Sequence, residues 1–423
     1  MPELTTPPPT TPKPNDRHGA FSALRHRDFR LLWMGQIVSV TGSQMQLVAI
    51  NWHVYLLTKS PFALGMVGLF RGAPIILCSL IGGVVADAMD RKRLMITTQS
   101  VMIASAAALT FVTLAGSRSV WPIYALTGIA SGATAFDIPA RQALMPALVP
   151  AKDFPNAVSL SLVVFNVAMI AGPSVAGFVL ASHGPAVVYG INAISFVAVI
   201  AALLAMHTTG RLSDEGERIN RVSYAALKEG LAFVWRTPVI VQTMTLDFAA
   251  TFFASAFALL PIFAEEILHV GARGLGLLAA APAAGSVITA LIIARAGGFR
   301  KQGKLVIGSV AVFGLATVAF GLSRVFWFSL VMLAVTGAAD TISTVLRQTI
   351  RQLATPNQLR GRMTSINMVF FMGGPQLGEV EAGFVAALIG APLAVVTGGL
   401  GSILSAVAAA LKSKSLVNYE SEL

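Results

Sequence analysis

Two glutamates, Glu379 and Glu381, lie in the stretch MGGPQLGEVEAG (372–383), inside an apolar run from Met363 to about Ile389. An ionised side chain at the centre of a bilayer costs about 3 kcal/mol on insertion scales. A carboxyl group in such a run must be neutral, ion-paired or wet, and a group that changes between those states can carry a proton. Asp247 and Asp340 pose the same question in two other apolar runs, and Arg71 is the only cation well inside one. Glu379, Glu381, Asp247 and Asp340 are therefore proton-coupling candidates. Arg71 is a substrate-cavity candidate, holding an anionic group or pairing with one of the acids. The plainer reading of each is a permanent ion pair or hydrogen bond that joins two helices.

Spacing refines these expectations. Glu379 lies about 15 residues into its run, roughly 22 Å along a helix and near mid-bilayer. Glu381 points about 160° away from it, so the two share a cavity only if Gly373, Gly374 and Pro375 distort the helix. Asp137 and Arg141 are four apart near the end of another run, the spacing of a local ion pair rather than of transport chemistry. Glu265, Glu266 and His269 form a cluster between runs, for which a solvated loop is the expectation and a metal site the rival. No metal site or cofactor is expected elsewhere.

The elements that position these groups follow from composition. The chain has 423 residues, of which 55% are hydrophobic and 12% charged, with a mean hydropathy of +0.74. Soluble domains carry about twice that charge fraction, so the expected solvent is lipid. Apolar runs fall near 31–57, 62–86, 94–116, 121–140, 158–181, 186–206, 238–262, 274–296, 304–322, 326–346, 363–389 and 392–411. Each is long enough for a membrane-spanning helix and lacks the alternation of barrel strands. The expected fold class is all-α integral membrane, with twelve transmembrane helices in two six-helix bundles. The expected divisions are a disordered tail over 1–24, a bundle over 25–206, a central loop over 207–237, a second bundle over 238–412 and a tail over 413–423. The first residues, MPELTTPPPTTPKPNDRHG, lack the apolar core of a signal peptide.

The net charge of +11 sits between the apolar runs. It reads as a topology signal rather than a nucleic-acid surface. With the N-terminus inside, about 25 of the 30 Lys and Arg face the cytosol, and the external loops hold Lys59, Arg118, Arg273 and Arg324. Both termini are therefore expected in the cytosol. Cys78 is the single cysteine, so no disulfide forms within the chain.

RQALMPALVP (141–150) and RQTIRQLATP (347–356) share the Arg-Gln pair and the final proline at one offset, and each is followed by a Gly-Pro in the next run, at Gly172-Pro173 and Gly374-Pro375. A translational repeat of six spans fits two bundles related by an axis along the membrane normal, with a cavity between them. No GxxxxGK[ST] loop is present for an ATP-driven pump, and no GxSxG or HExxH signature for a membrane enzyme.

GGVVADAMDRKR (82–93) resembles the signature loop of the major facilitator superfamily, matching at Gly83, Asp87, Arg91 and Lys92; Ala88 and Asp90 depart from it. AGPSVAG (171–177) is similar to the span-five motif of drug–proton antiporters at Gly172, Pro173 and Gly177. FRLLWMGQIVSVTGSQMQLVAINWHVYLLTKSP, AFDIPARQALMPALVP, TLDFAATFFASAFALLPIFAEEIL and LRGRMTSINMVFFMGGPQLGEVEAG read like the enterobactin-exporter-like branch of bacterial efflux proteins, with a likeness running from Phe21 to Ser413. Ser43 stands where that branch often has Asp, and Met169 where it often has Arg. The resemblance implies proton-antiport export of a small drug-like or siderophore molecule across the bacterial inner membrane, by a protein expected to act as a monomer whose partners are lipid, protons and substrate. It also implies that Asp87 latches to the opposite bundle and that the span-five bend seals the cytosolic side. The rivals are a lipid-moving or siderophore-specific transporter of the same fold, and a non-transporting scaffold or sensor.

Overall fold

The structure, a computed structural model, describes residues 21–208, 224–296, 299–356 and 359–419. The expected N-terminal tail lies almost wholly outside the described residues, as does most of the polar half of the central loop.

The described residues form long helices joined by short turns, without strands. The first six are α1 (Arg27–Thr58), α2 (Pro61–Ala88), α3 (Arg91–Leu114), α4 (Trp121–Leu144), α5 (Phe154–His183) and α6 (Pro185–Ala205). A connecting helix follows, α7 (Tyr224–Arg236). The second half holds α8 (Pro238–Phe253), the single turn α9 (Leu260–Ile262), α10 (Gly271–Ala296), α11 (Gln302–Leu322), α12 (Phe326–Leu353), α13 (Arg360–Ile389), α14 (Ala391–Lys412) and the short α15 (Lys414–Val417). Local chemistry sets several starts. Pro61, Pro185 and Pro238 occupy first helical positions, where the missing N–H is not needed. The Asp90 carboxylate caps α3 by accepting from the Arg93 amide at 3.0 Å.

Nine described stretches are long and apolar enough to cross a membrane. The other three long helices, α1, α4 and α13, hold much of the polar and charged chemistry: Gln36, Gln46, Asn51 and His53 on α1, Asp137 on α4 and Glu379 on α13 are all buried. Helices that turn polar groups toward protein need less apolar surface than helices surrounded by lipid.

Packing repeats from one half to the other. In the first, α1 packs on α5 and α6, α3 on α4 and α6, and α2 on α4. In the second, α8 packs on α13 and α14, α11 on α12 and α14, and α10 on α12. Two seams join the bundles, α2 against α13 and α5 against α10, and the repeat converts one seam into the other. The turns obey the same repeat. Gly184 and Gly390 occupy equivalent places in it and take φ of +76° and +87°, a backbone region closed to most side chains.

Two details differ from the expected helices. Gly373-Gly374-Pro375 does not break α13, which is helical throughout. Its glycines instead admit a neighbour, because a Cβ at Gly378 would lie 2.3 Å from the Phe252 carbonyl oxygen of α8. The break falls in the seventh span, expected as continuous over 238–262. Helix α8 stops at Phe253, and the chain resumes as a 3-10 turn (Phe257–Leu259), α9 and a π turn (Phe263–Ile267). Pro261 cannot donate to the carbonyl four residues back. The gap is filled from outside: the Ser255 hydroxyl donates to the Pro375 carbonyl at 3.2 Å, and the Phe253 carbonyl fits against Gly398 of α14. After α14, the segment expected as a tail begins with α15, where Leu416 is fully buried against Gly303 of α11.

Candidate functional site

Arg71 and Glu379 meet across the α2–α13 seam. Arg71 Nη2 donates to Glu379 Oε1 at 2.6 Å, and Arg71 also donates from Nε and Nη2 to Gln376 Oε1 at 3.1 and 2.9 Å. Gln376 and Glu379 are three apart, so one face of α13 presents both acceptors. On α2, Gly65, Gly68 and Gly72 share the facing stripe. A Cβ at Gly68 would lie 2.7 Å from Glu379 Cβ, and one at Gly72 2.6 Å from Gln376 Cβ. These glycines let the backbones approach until the short acid reaches the arginine. The pair is dry: side-chain exposure is 16% for Arg71 and 4% for Glu379. Glu379 Oε2 and Arg71 Nη1 have no hydrogen-bond partner among the described residues. Helix α13 is longer than its apolar run, so Glu379 lies past the middle of the helix, nearer its Ile389 end than its Arg360 end.

Glu381 points elsewhere. It is half-buried and has no ion pair or hydrogen bond among the described residues. The uninterrupted helix keeps the two glutamates on different faces.

Asp247 and Asp340 come together in the second bundle around an arginine not singled out from the sequence. Arg347 Nη2 on α12 lies 2.7 Å from Asp247 Oδ1 on α8 and 3.7 Å from Asp340 Oδ1, and it donates to Thr344 Oγ1 at 3.0 Å. Arg351 Nη1 stands 4.0 Å from Asp247 Oδ2. Arg347 and Asp247 are almost fully buried, whereas Asp340 keeps 47% side-chain exposure. The signal for the arginines was present in the sequence. Arg347 and Arg351 follow Asp340 at helical spacing, two and three turns on, which puts all three on one helix face.

The first bundle treats the equivalent arginine differently. Arg141, which the repeat aligns with Arg347, is paired with Asp137 one turn earlier on α4, and Asp137 also accepts from Gln99 at 2.9 Å and Thr98 at 3.1 Å. This acid has three partners within its own bundle.

The signature-loop residues divide. The side chain of Asp87, and Gly83, lie outside the described residues. Arg91 donates to the Ala143 carbonyl at 2.9 Å and Lys92 to the Met206 carbonyl at 2.8 Å. Both cations therefore satisfy carbonyls at helix C-terminal ends, where the dipole favours them. On α5, Gly172 packs against Thr41 and Gln44 of α1. Gly177 and the Pro173 carbonyl pack against Gly276 of α10, bringing the two backbones of the second seam into direct contact. Ser43 turns its hydroxyl onto the Ser39 carbonyl of its own helix at 2.9 Å, and Met169 is partly buried.

At the end of the bundles remote from the chain termini, Tyr55 of α1 donates to Glu266 Oε1 at 2.7 Å, and the Lys59 ammonium stands 4.1 Å from the Tyr55 ring centroid. This joins the bundles once more. The His269 ring contacts the Glu265 carbonyl at 3.0 Å. Among the described residues no cluster of three or more His, Cys, Asp or Glu is placed to hold a metal.

Long membrane-crossing helices in two repeat-related bundles, with charged groups in the seam and core, define a major facilitator transporter, a multi-pass membrane protein and not an enzyme. The chain belongs to the transmembrane secretion effector family of that superfamily, whose model matches residues 18–422. It is 25% identical over 386 residues to the enterobactin exporter EntS of Citrobacter koseri, covering 91% of this chain and 88% of that one. It is 26% identical over 386 residues to the EntS of Salmonella choleraesuis, with the same coverages. Among solved structures, a POT family transporter in complex with a thioalcohol-conjugated peptide aligns with a TM-score of 0.72 at 11% identity, covering 93% of this chain and 97% of that one. A bacterial homologue of ferroportin in the inward-facing state aligns at 0.63 and 15%, covering 90% and 98%.

Proposed function

We propose that this protein exports a small organic molecule of the siderophore class, exchanging it for protons across a bacterial inner membrane with both chain termini in the cytosol. The substrate class comes from its relatives, which are named as enterobactin exporters. The coupling rests on the Arg71–Glu379 pair, which ties one bundle to the other in a dry seam.

The pair links protonation to shape. With the seam closed, Arg71 neutralises the carboxylate and Gln376 shares the guanidinium. Rocking the bundles apart separates α2 from α13 and leaves Glu379 without its cation. A bare carboxylate in that place is costly, so the group takes a proton from the external side, onto the oxygens no longer held by Arg71. Closure returns Arg71, which favours the charged form, and the proton leaves toward the cytosol. Substrate bound on the cytosolic side favours the opposite swing, and reciprocal linkage makes proton and substrate compete. Asp340, accessible at its side chain and loosely held by Arg347, is the best-placed group of the second cluster for substrate contact. Asp87 at the cytosolic end of α2 is the proposed latch of the outward-facing state.

Reconstituted vesicles with an imposed pH difference and radiolabelled enterobactin test the reading. Glu379→Gln keeps the shape and a hydrogen bond but cannot titrate. It should bind substrate and lose gradient-driven export. Undiminished proton-driven export by this variant would return Glu379 to a structural role. Uptake of a cationic dye in preference to enterobactin would overturn the substrate class alone.

A further inference from the structure

The connecting helix α7 has two unlike sides. Phe233 and Val234 pack on Ile240, Met244, Met363 and Ile366, at the starts of α8 and α13. The opposite side is uncovered: Trp235 is 67% exposed and Leu231 44%, and Lys228, Ala232 and Arg236 are exposed as well. On a helical wheel Leu231 and Trp235 lie one turn apart along one edge. Lys228 follows, then Ala232, Arg236 and Glu229, so apolar surface grades into a polar edge that carries two cations and one acid.

Position says what covers this side. Only Thr237 separates α7 from Pro238, the first residue of a membrane-crossing helix. Helix α7 therefore sits at the level where α8 enters the bilayer. A tryptophan and a leucine beside two cations match the polar–apolar boundary of a membrane. The indole and leucine reach the acyl boundary there, and the lysine and arginine reach lipid phosphates. We propose that α7 is an interfacial helix that docks on anionic lipid headgroups through Lys228 and Arg236, with Leu231 and Trp235 inserted beside them. Because its buried face rests on α8 and α13, the docked lipid bears on the two helices that carry Asp247 and Glu379. This inference needs the membrane but not any particular substrate.

The single native cysteine makes a site-specific probe simple. Cys78→Ser combined with Trp235→Cys, labelled with a nitrobenzoxadiazole fluorophore, is reconstituted into vesicles of phosphatidylcholine alone or of phosphatidylcholine with a minor fraction of phosphatidylglycerol. Leu231→Cys gives a second labelled position if the first variant is poorly folded. The label should be quenched by lipid spin-labelled near the headgroup and shielded from aqueous iodide. The shielding should increase several-fold with phosphatidylglycerol. Adding Lys228→Gln and Arg236→Gln should remove that lipid dependence. Free iodide quenching without lipid quenching would show a water-facing helix. Shielding from both quenchers would show cover by another protein segment or a second copy. Equal behaviour in the two vesicle types would remove the anionic-headgroup contact. Each of these results overturns the proposal.

Discussion

At the scale of the residue, the arginine–glutamate pair obeys an asymmetric energy rule. Breaking a buried pair by removing one partner costs about 3–5 kcal/mol, because the other charge is left uncompensated. Replacing both by apolar residues of similar volume is often neutral or stabilising. Arg71→Met or Glu379→Met alone should therefore lower the thermal unfolding temperature in detergent far more than the double variant does. A double variant as unstable as the sum of the two singles would show that the charges do not stabilise each other. The sequence marked both residues as out of place in lipid but did not pair them, because 308 positions separate them and the meeting faces are set by tertiary packing. Arg347 and Arg351 were hidden for another reason. They follow a long apolar run, where cations ordinarily report topology, and only their spacing from Asp340 betrays that they turn inward.

At the scale of the element, the seams are built from glycine. A Cβ on Gly276 would lie 2.5 Å from the Pro173 oxygen and 2.8 Å from Gly177 Cα. Both are backbone atoms, so α5 and α10 must move apart to admit it. Gly276→Ala should destabilise the protein by about 1–3 kcal/mol, the usual range for an overfilled contact. Gly190→Ala, whose nearest neighbour is 3.8 Å away, should be near neutral. Comparable unfolding curves for the two variants would contradict the close seam. Helix positions were legible from apolar runs and their polar gaps. The site of the broken helix was not, since Gly-Gly-Pro is a stronger local breaker than Ala-Ser-Ala. Packing inverted the order: α13 stays regular because α8 fills its glycine notch, while α8 opens where Ser255 and Gly398 can receive its backbone.

At the scale of the whole molecule, the distribution of Lys and Arg gives a direct test of orientation. A reporter active only outside the cytosol, fused after Leu423, should be silent, and the same reporter placed in the Arg118 turn should be active. A signal from the C-terminal fusion would invert the topology and, with it, the direction of the proton exchange.

The chain passes from one bundle to the other a single time, between Ala205 and Pro238; among the described residues, what else unites them is non-covalent contact, chiefly along the two seams. Continuity of the polypeptide is then a convenience of synthesis rather than a condition of the architecture. A gene divided after Ser213 would yield two polypeptides, each carrying one internally packed bundle, whose matching surfaces can find each other within the membrane plane. Co-expression of 1–213 with 214–423 should restore export in whole cells and allow one fragment to co-purify with the other, while neither alone transports. Separate, stably inserted fragments that never associate would show that the seams need the tether to form.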